Sequence, residues 1–516
     1  MPAVATPFPY RSAPGLTAPE PRHPVAIVGA GPTGLAMGLE LARHGVASVI
    51  LDDNDVVAAG SRAICWSKRS LEICDRIGVG QRMVDKGVTW QVGHTYLGEE
   101  EVFRFDLLPE AGHKRPAFVN LQQYHVERFM VEAAQAEPLV DLRFRNRVAE
   151  VAPRDDHVAL RVATPEGDYP LEAGHLVACD GARSPVREML GLSFDGALFE
   201  ERFLIADVVV EADFPADRRF WFEPPFHPGQ SVLLHKQPDN LYRIDFKLGP
   251  DADPEAETRP EAVIPRVRRV LGEVPFTLDW VSVYSFQCRR LARFVHGRVI
   301  FAGDSAHVVS PFGARGGNGG LQDVDNLGWK LAAVAQGRAG PALLDGYDRE
   351  RVQAADENIA HSTRATRFIA PADGVERLFR DAVLALAREA PFARPLVNSG
   401  RLSTPCIHAC AGSDDPALPA ASRPGAVAPD APLADGWLID RLGRRPVLLA
   451  LNRPAPAVPG LEPLELTETP ELRARYLGDS AAALCLVRPD QVVAARWQHA
   501  TAEEVADALA AMWEGR

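Results

Sequence analysis

The stretch Val25-Ala26-Ile27-Val28-Gly29-Ala30-Gly31-Pro32-Thr33-Gly34 is a short apolar strand running into a G-x-G-x-x-G turn. A helix-like segment follows as far as His44 and is closed by Gly45, and a second apolar run, Ser48-Val49-Ile50-Leu51, ends at Asp52-Asp53. Strand, glycine turn, helix, strand and acid in this order form the context that makes such a turn informative. Gly29 makes the tight turn, Gly31 lets the backbone approach a pyrophosphate, and Gly34 allows close helix–strand packing, with Pro32 inside the same turn. The helix N-terminus offers free N–H groups to phosphates. The acid, Asp52 with Asp53 beside it, accepts hydrogen bonds from a ribose diol. The expectation is an α/β fold with a dinucleotide site.

Two further segments narrow the reading. Residues 176–187 run Leu-Val-Ala-Cys-Asp-Gly-Ala-Arg-Ser-Pro-Val-Arg and contain Asp180, Gly181 and Arg187. Residues 298–320 contain Gly303-Asp304, then Pro311 and the run Gly313-Ala314-Arg315-Gly316-Gly317-Asn318-Gly319-Gly320. Asp-Gly alone is commonly a hairpin turn. Together and in this order, the three motifs resemble the class A flavoprotein monooxygenases, the aromatic hydroxylase family related to p-hydroxybenzoate hydroxylase and phenol hydroxylase. The resemblance covers about residues 24–400.

The resemblance implies FAD as the cofactor and NADPH or NADH as a transient co-substrate. It assigns Gly29, Gly31, Pro32, Gly34, Asp52 and Asp53 to the ADP half, Arg62 to the phosphates, and Gln123 (with Gln122 as the fallback) to a contact with FAD. Asp180, Gly181 and Arg187 match a motif associated with both FAD and NAD(P)H. Gly303 and Asp304 fall at the ribityl chain, and Pro311, Gly316, Gly317 and Asn318 near the flavin ring. Where many relatives carry Gly-Gly-Gln-Gly-Met-Asn, this chain has Gly-Ala-Arg-Gly-Gly-Asn, so Arg315 either touches a ligand or pairs with an acid. His307 in such a loop orders the turn more readily than it acts as a base. The helix after residue 320 carries apolar Leu321, Val324, Leu327, Leu331 and Val334 at near-helical spacing.

Residues 191–290 change character: Phe203–Val210, Arg219–Phe222, Ser231–His235 and Tyr242–Leu248 are β-branched and aromatic runs separated by turns. They predict an antiparallel substrate-binding sheet inserted between two parts of the FAD-binding domain, 24–190 and 291–400, with 88–118 adding to its wall. His235 and Arg243 are candidate catalytic residues there, beside Pro311 and Arg315. Alternation puts Tyr242 and Ile244 on one face and Arg243 and Asp245 on the other. From about 401 to 516, strand-like Trp437–Asp440, Val447–Ala450, Ala483–Val487 and Val492–Arg496 and a helix over 501–513 predict a small α/β unit. It resembles the thioredoxin-like tail of the phenol-hydroxylase branch, including Arg488-Pro489-Asp490-Gln491, and lacks Cys-x-x-Cys.

Composition sets the outer limits. The chain has 516 residues and a net charge of −13, which disfavours a non-specific nucleic-acid binder. No run approaches the length of a membrane span. Seven scattered cysteines read as reduced thiols of a cytoplasmic protein, and the fourteen histidines form no metal-binding spacing. Residues 1–23, rich in proline, read as a flexible leader. A homodimer is one option for assembly.

The leading reading is a single-component monooxygenase that hydroxylates a phenolic or related aromatic substrate with NAD(P)H and O₂ through a flavin C4a-hydroperoxide. Baeyer–Villiger, epoxidising or ring-opening oxygenation on the same fold is an alternative. A flavin-binding, NAD(P)H-responsive protein without oxygenase activity is another.

Overall fold

Five strands, Val299–Phe301, Gly167–Ala178, His23–Val28, Ser48–Asp52 and Val140–Phe144, lie side by side and parallel in one sheet. The computed structural model describes residues 7–57, 63–212, 216–249, 251–371, 374–397, 402–410 and 412–515. Val25, Ala26 and Ile27 are all buried, as are Val49, Ile50 and Leu51, because the strands are covered on both faces. This is why these segments read as continuous apolar runs rather than alternating ones. In register, Val28 stands between Leu51 and Ala178, and Ala178 stands beside Phe301. The ladder continues past the strand ends through Gly29 N to Leu51 O (2.8 Å), Cys179 N to Val28 O (2.8 Å) and Ala302 N to Ala178 O (3.0 Å). The three glycine-bearing segments therefore leave the sheet along the same carboxyl edge, where open α/β sheets bind ligands.

A second, eight-stranded sheet runs in the order His307–Val308, Phe276–Arg290, Asp195–Val210, Leu241–Lys247, Ser231–Lys236, Arg218–Phe222, Val92–Leu97 and Glu100–Asp106. Its pairs are antiparallel except Arg218–Phe222 with Val92–Leu97. The short strand His307–Val308 follows directly on Gly303-Asp304, so one loop serves both sheets. The two faces differ. Val208, Tyr242, Ile244 and Phe246 pack against Val263 and Val267 of the helix Pro260–Leu271. The opposite face carries Arg218, His235, Arg243 and Asp245, adjacent to Cys65.

The segment expected to be a loose leader is docked over its described part, residues 7–23. Phe8 stacks on Phe144 with ring centres 4.7 Å apart, Ala13 is buried, and both Glu20 carboxylate oxygens accept from Arg143 (2.6 and 2.9 Å). Arg143 is itself buried, and a buried guanidinium requires a counter-charge, which Glu20 of the leader and Asp141 supply together. No helix among the described residues is long and apolar enough to cross a membrane.

Toward the C-terminus, Glu462–Leu466, Val447–Leu451, Ala483–Val487 and Val493–Trp497 form a four-stranded sheet. Leu448, Leu484 and Leu486 pack on Trp329 and Ala333 of the long helix Gly316–Ala335 and on the helix Ala502–Trp513. The run Trp437–Asp440, expected as a strand, instead has only its first residue in a two-residue strand, Gly436–Trp437. The rest lies in the short helix Leu438–Arg441. Asp430 accepts from Ile439 N (3.0 Å) and draws this turn inward.

The turn 488–491 inserts charge into the seam between the C-terminal sheet and the helices. Arg488 donates twice to Glu350 (2.6 and 2.8 Å) and to Asp490 (2.9 Å), while Lys330 reaches Glu350 (2.9 Å) and Asn326 (2.8 Å). Arg69 donates to Gln491 Oε1 (2.6 Å) and to the Asp490 carbonyl (2.8 Å). Burial opposes charge on Glu350, yet Arg488 and Lys330 hold its carboxyl well below the usual range. Arg488→Met would take the arginine from Asp490 and leave Glu350 with Lys330 and Asn326. Breaking a buried pair from one side costs about 3–5 kcal/mol. The variant is expected to lose that much in urea unfolding, whereas Arg161→Ala, which removes an exposed arginine pairing with Glu150 and Asp168, leaves the midpoint near the wild-type value. An Arg488→Met protein as stable as the parent would show that this network does not hold the seam.

Candidate functional site

Each glycine of the first turn has a different task. Gly29 sits in the left-handed region (φ 102°), and a Cβ there would lie 2.5 Å from the Cys179 carbonyl oxygen. A Cβ on Gly34 would lie 1.9 Å from the Gly29 carbonyl oxygen, so the helix Pro32–Arg43 presses directly on the turn. Gly31 is the opposite case: a Cβ there would meet nothing within 4 Å. It caps the helix without a side-chain acceptor, which leaves open space in front of uncapped N–H groups, and Pro32 at the first helical position has no N–H to leave unpaired.

Asp52 ends its strand with one carboxylate oxygen accepting from Ala30 N (2.5 Å) and the other from Asn54 N (2.8 Å). Burial pushes its carboxyl up. Each oxygen retains a second acceptor site, so the side chain braces the glycine turn and can still take a further donor. Asp53 is exposed and accepts from Asn54 Nδ2 (3.2 Å). Arg62 lies outside the described residues. Gln123, in the first turn of the helix Gln123–Ala136, accepts from Ala63 N (3.1 Å) and donates to Glu127 (2.7 Å). Its neighbour Gln122 is buried, with Oε1 lacking any partner.

The second and third segments are clasped together. Asp180 accepts from Val186 N (3.0 Å) through one oxygen, while its other oxygen is buried without a donor. Burial pushes this carboxyl up as well. Gly181 adopts φ 80°. Arg187 donates to the Ser305 carbonyl (3.0 Å) and the Ala182 carbonyl (2.7 Å) and lies over the Phe194 ring at 4.0 Å. Assigned from the sequence to cofactor contact, it ties two loops together, since both carbonyls come within reach only when the sheet brings residues 182 and 305 side by side. Gly303 (φ 65°) abuts Thr33, and Asp304 stands exposed in the 3-10 turn Gly303–Ser305.

The residue that organises this loop escaped the sequence reading. Asp323, 0% exposed, accepts from Gly303 N (2.8 Å), His307 Nε2 (2.8 Å) and Arg351 Nε (2.6 Å). Burial opposes its charge, but His307 and Arg351 hold its carboxyl down at about 2. His307 also stacks on Phe294 at 5.6 Å. The available signal was an acid set between Leu321 and Val324, two of the apolar positions of the helix.

At the head of that helix, Gly316 has space around it, and a Cβ on Gly317 would lie 3.3 Å from Ala63 and 3.4 Å from Trp66. Arg315 is buried and folds back on the Gly313 carbonyl (3.3 Å); Pro311 is exposed. Asn318, assigned from the sequence to the flavin ring, has its amide engaged on both sides within the protein. It donates to the carbonyls of Cys65 (2.9 Å) and Ala314 (2.5 Å) and accepts from Ser67 N (2.9 Å) and Ser70 Oγ (2.6 Å). It stitches the helix to the strand Cys65–Ser67, a contact that 251 residues of separation hide from local reading.

Across from these loops the second sheet presents a polar row. Arg243 donates to both oxygens of Asp207 (2.8 and 2.7 Å), so this candidate catalytic guanidinium is held by a neighbouring strand. Next to it, His235 lies with Nε2 3.5 Å from Asp245 and with Nδ1 buried and unpartnered. Burial and then Arg218 lower its pKa. Both polar atoms of the buried Gln237 side chain also lack partners. Unsatisfied buried groups cost about 1–3 kcal/mol each, and a cluster of them marks a place where another molecule completes the bonding. No group of His, Cys, Asp and Glu among the described residues could hold a metal ion.

Because the folded-state pKa of Asp323 is depressed, the stability it lends is complete above about pH 4–5 and disappears as the pH falls toward about 2. Asp323→Asn leaves Arg351 without its carboxylate and is expected to cost about 3–5 kcal/mol at pH 7. In denaturant unfolding the gap between variant and parent should close between about pH 4 and pH 2; a gap independent of pH would show that Asp323 carries no depressed pKa.

The FAD binding domain family matches residues 22–362. A 3-(3-hydroxy-phenyl)propionate/3-hydroxycinnamic acid hydroxylase of Mycolicibacterium gilvum (strain PYR-GCK) is 32% identical over 373 residues, 71% of this chain and 64% of that protein. The match thus spans less than two thirds of that relative's length. A flavin-dependent monooxygenase of Mycobacteroides abscessus is 31% identical over 498 residues, 90% of this chain and 95% of the relative. The crystal structure of the flavin-dependent monooxygenase PieE, in complex with FAD and substrate, superposes with a TM-score of 0.78 at 24% identity over 97% of this chain and 100% of that one, a likeness of fold. All three glycine-bearing loops fall inside the matched residues, and the chain belongs to the FAD-binding domain family.

Proposed function

We propose that this chain is a single-component FAD monooxygenase that uses NADH or NADPH and O₂ to hydroxylate a phenolic or related aromatic small molecule. The observation that carries the reading is the convergence, on one sheet edge, of the open space at Gly31, the unpartnered Asp180 oxygen and the glycine-rich head of the helix Gly316–Ala335. The residues present suit a flavin dinucleotide. Gly31 and the helix behind it would take the pyrophosphate, Asp52 and Asp53 a ribose, and Asp180 and Asp304 hydroxyl or N–H donors. When bound, FAD supplies the redox and oxygen-activating chemistry.

The chain's own residues bind, orient and exclude water. The N-terminus of the helix Gly316–Ala335 favours negative charge placed before it, with Gly316 and Gly317 leaving room for a flat ring. Arg187, Asp323 and Asn318 fix the loops that bear those groups. On the substrate side, proximity to Asp245 favours the Nε2–H tautomer of His235, which leaves a lone pair on Nδ1 to accept a phenolic proton. Arg243 acts through Asp207 as a positioning charge. Arg315 and Pro311 stand at the mouth of the same loop.

The direct test is to measure bound flavin and NAD(P)H consumption with and without a panel of phenols, together with ¹⁸O₂ incorporation into the product. Gly31→Val, which fills the open space, should weaken FAD binding about tenfold or more (~1.4 kcal/mol) with the circular dichroism spectrum unchanged. Flavin bound without stimulation by any aromatic would overturn the hydroxylase reading, and FAD affinity untouched by Gly31→Val would overturn the cradle.

Burial lowers the pKa of His235, so the acid limb of the pH–rate profile should lie below about pH 6.5 and activity should be flat just above it. His235→Gln should lower kcat by about 10²–10⁴ and abolish that limb. A His235→Gln enzyme with the parental pH profile would remove His235 from the proton path.

A further inference from the structure

A cleft of about 640 Å³ opens between the helix Lys68–Arg76 and the turn 441–445 that leads into the C-terminal sheet. It shares no residue with the three glycine-bearing loops. Its lining holds the cations Arg43, Arg76, Lys114, Arg115, Arg441, Arg444 and Arg445 and the carboxylates Glu72, Asp75, Asp440 and Glu462. That is an excess of positive charge in a chain whose net charge is −13.

The lining carboxylates already have cationic partners. Asp75 takes Arg115 (Nε to Oδ2, 2.6 Å) and Lys114 (3.2 Å), Asp440 takes Lys114 (2.5 Å), Glu72 takes Lys68 (2.5 Å) and Arg69, and Glu462 takes Arg445. Two guanidinium groups keep donors to spare. Arg444 is exposed and makes no hydrogen bond or ion pair among the described residues. Arg76, its side chain 7% exposed, pairs with Asp325 through one nitrogen and leaves Nε and Nη1 buried without an acceptor. A buried guanidinium with spare donors is a group short of an anion.

The shape of the lining narrows the class of anion. No aromatic side chain is present, so neither a flavin ring nor a nucleobase finds a surface to stack on. The spare donors come from two separate parts of the chain, Arg76 on the helix Lys68–Arg76 and Arg444 in the turn 441–445. Guanidinium groups bind phosphate oxygens bidentately, and two of them from separate segments can take several oxygens of one polyanion at once. We propose that this cleft is a binding site for a phosphate-bearing polyanion, distinct from the flavin site and formed only when the C-terminal sheet is docked.

The test is calorimetric titration of the full chain, as purified, with sodium pyrophosphate against a chloride control of equal ionic strength. One saturable site is expected. Arg444→Glu, at an exposed position, should weaken it at least tenfold, and Arg76→Lys, which keeps a charge on Asp325 but removes the spare donors, should weaken it as well. Arg161→Glu, elsewhere on the surface, should leave it unchanged. A parallel titration with adenosine diphosphate separates two sources of the same chemistry: equal affinity identifies a free polyphosphate, and tighter binding identifies a phosphate ester whose organic part also enters the cleft. Absence of saturable binding beyond the chloride control, or affinity indifferent to Arg444→Glu, would overturn the proposal.

Discussion

Asp323 is a charge placed where no water reaches, and three donors from three parts of the chain must stay in position to keep it there. A carboxylate in such surroundings tolerates the loss of none of them, because each missing bond exposes the full penalty of burying charge. The turn at Gly303, the strand that follows it at His307 and the helix Ala342–Ile369 through Arg351 are thereby fixed to the helix Gly316–Ala335. The last of the three glycine-bearing loops is pinned from behind, and Arg187 pins it from the side through Ser305. The sheet edge is open to a ligand because its loops are fastened on the faces turned away from it.

The helix Gly316–Ala335 takes part in several of the buried long-range polar contacts among the described residues. Asn318 fastens it to the strand Cys65–Ser67, Asp325 to Arg69 and Arg76, and Asn326 and Lys330 to the cluster around Glu350. A helix buried on all sides is usually apolar all round. Here Asn318, Asp323, Asp325, Asn326 and Lys330 are tolerated because each finds a partner on a neighbouring element. The C-terminal sheet contacts the same helix through Trp329 and Ala333 and closes the charge cluster with Arg488 and Asp490. A shift of that sheet would therefore be felt at the helix whose head faces the glycine-rich loop.

Much of the first half of this arrangement was readable from residues close together in the chain. Gly29, Gly31 and Gly34 differ in what they permit, and their spacing states which is which. The apolar runs at 25–28 and 48–51 announced strands covered on both sides. What could not be read was which polar residues face one another. Arg243 belongs with Asp207, Asn318 with Cys65 and Ser67, and Glu20 with Arg143, each pair brought together by strand pairing or helix packing. The proline-rich start gave no sign of docking, because its attachment rests on scattered residues such as Phe8, Ser12 and Glu20, whose partners Phe144, Glu166 and Arg143 lie far along the chain. The turn after Gly436 carries a strand-like composition, yet Asp430 curls it into a helix.

The sequence by itself determined the α/β class, the order of the glycine-bearing turns, and the strand or helix character of the segments that flank those turns. Those are consequences of steric limits and hydrophobic periodicity, which act over a few residues. Only the tertiary structure decided that Asp323, among the chain's 69 acidic residues, is the buried anchor, and that Arg69 meets the Asp490 carbonyl across 421 positions. The same holds for Asp180, which keeps one oxygen unengaged at the sheet edge. The physical reason is that burial gives a charge its importance, and burial depends on which distant surfaces close over it.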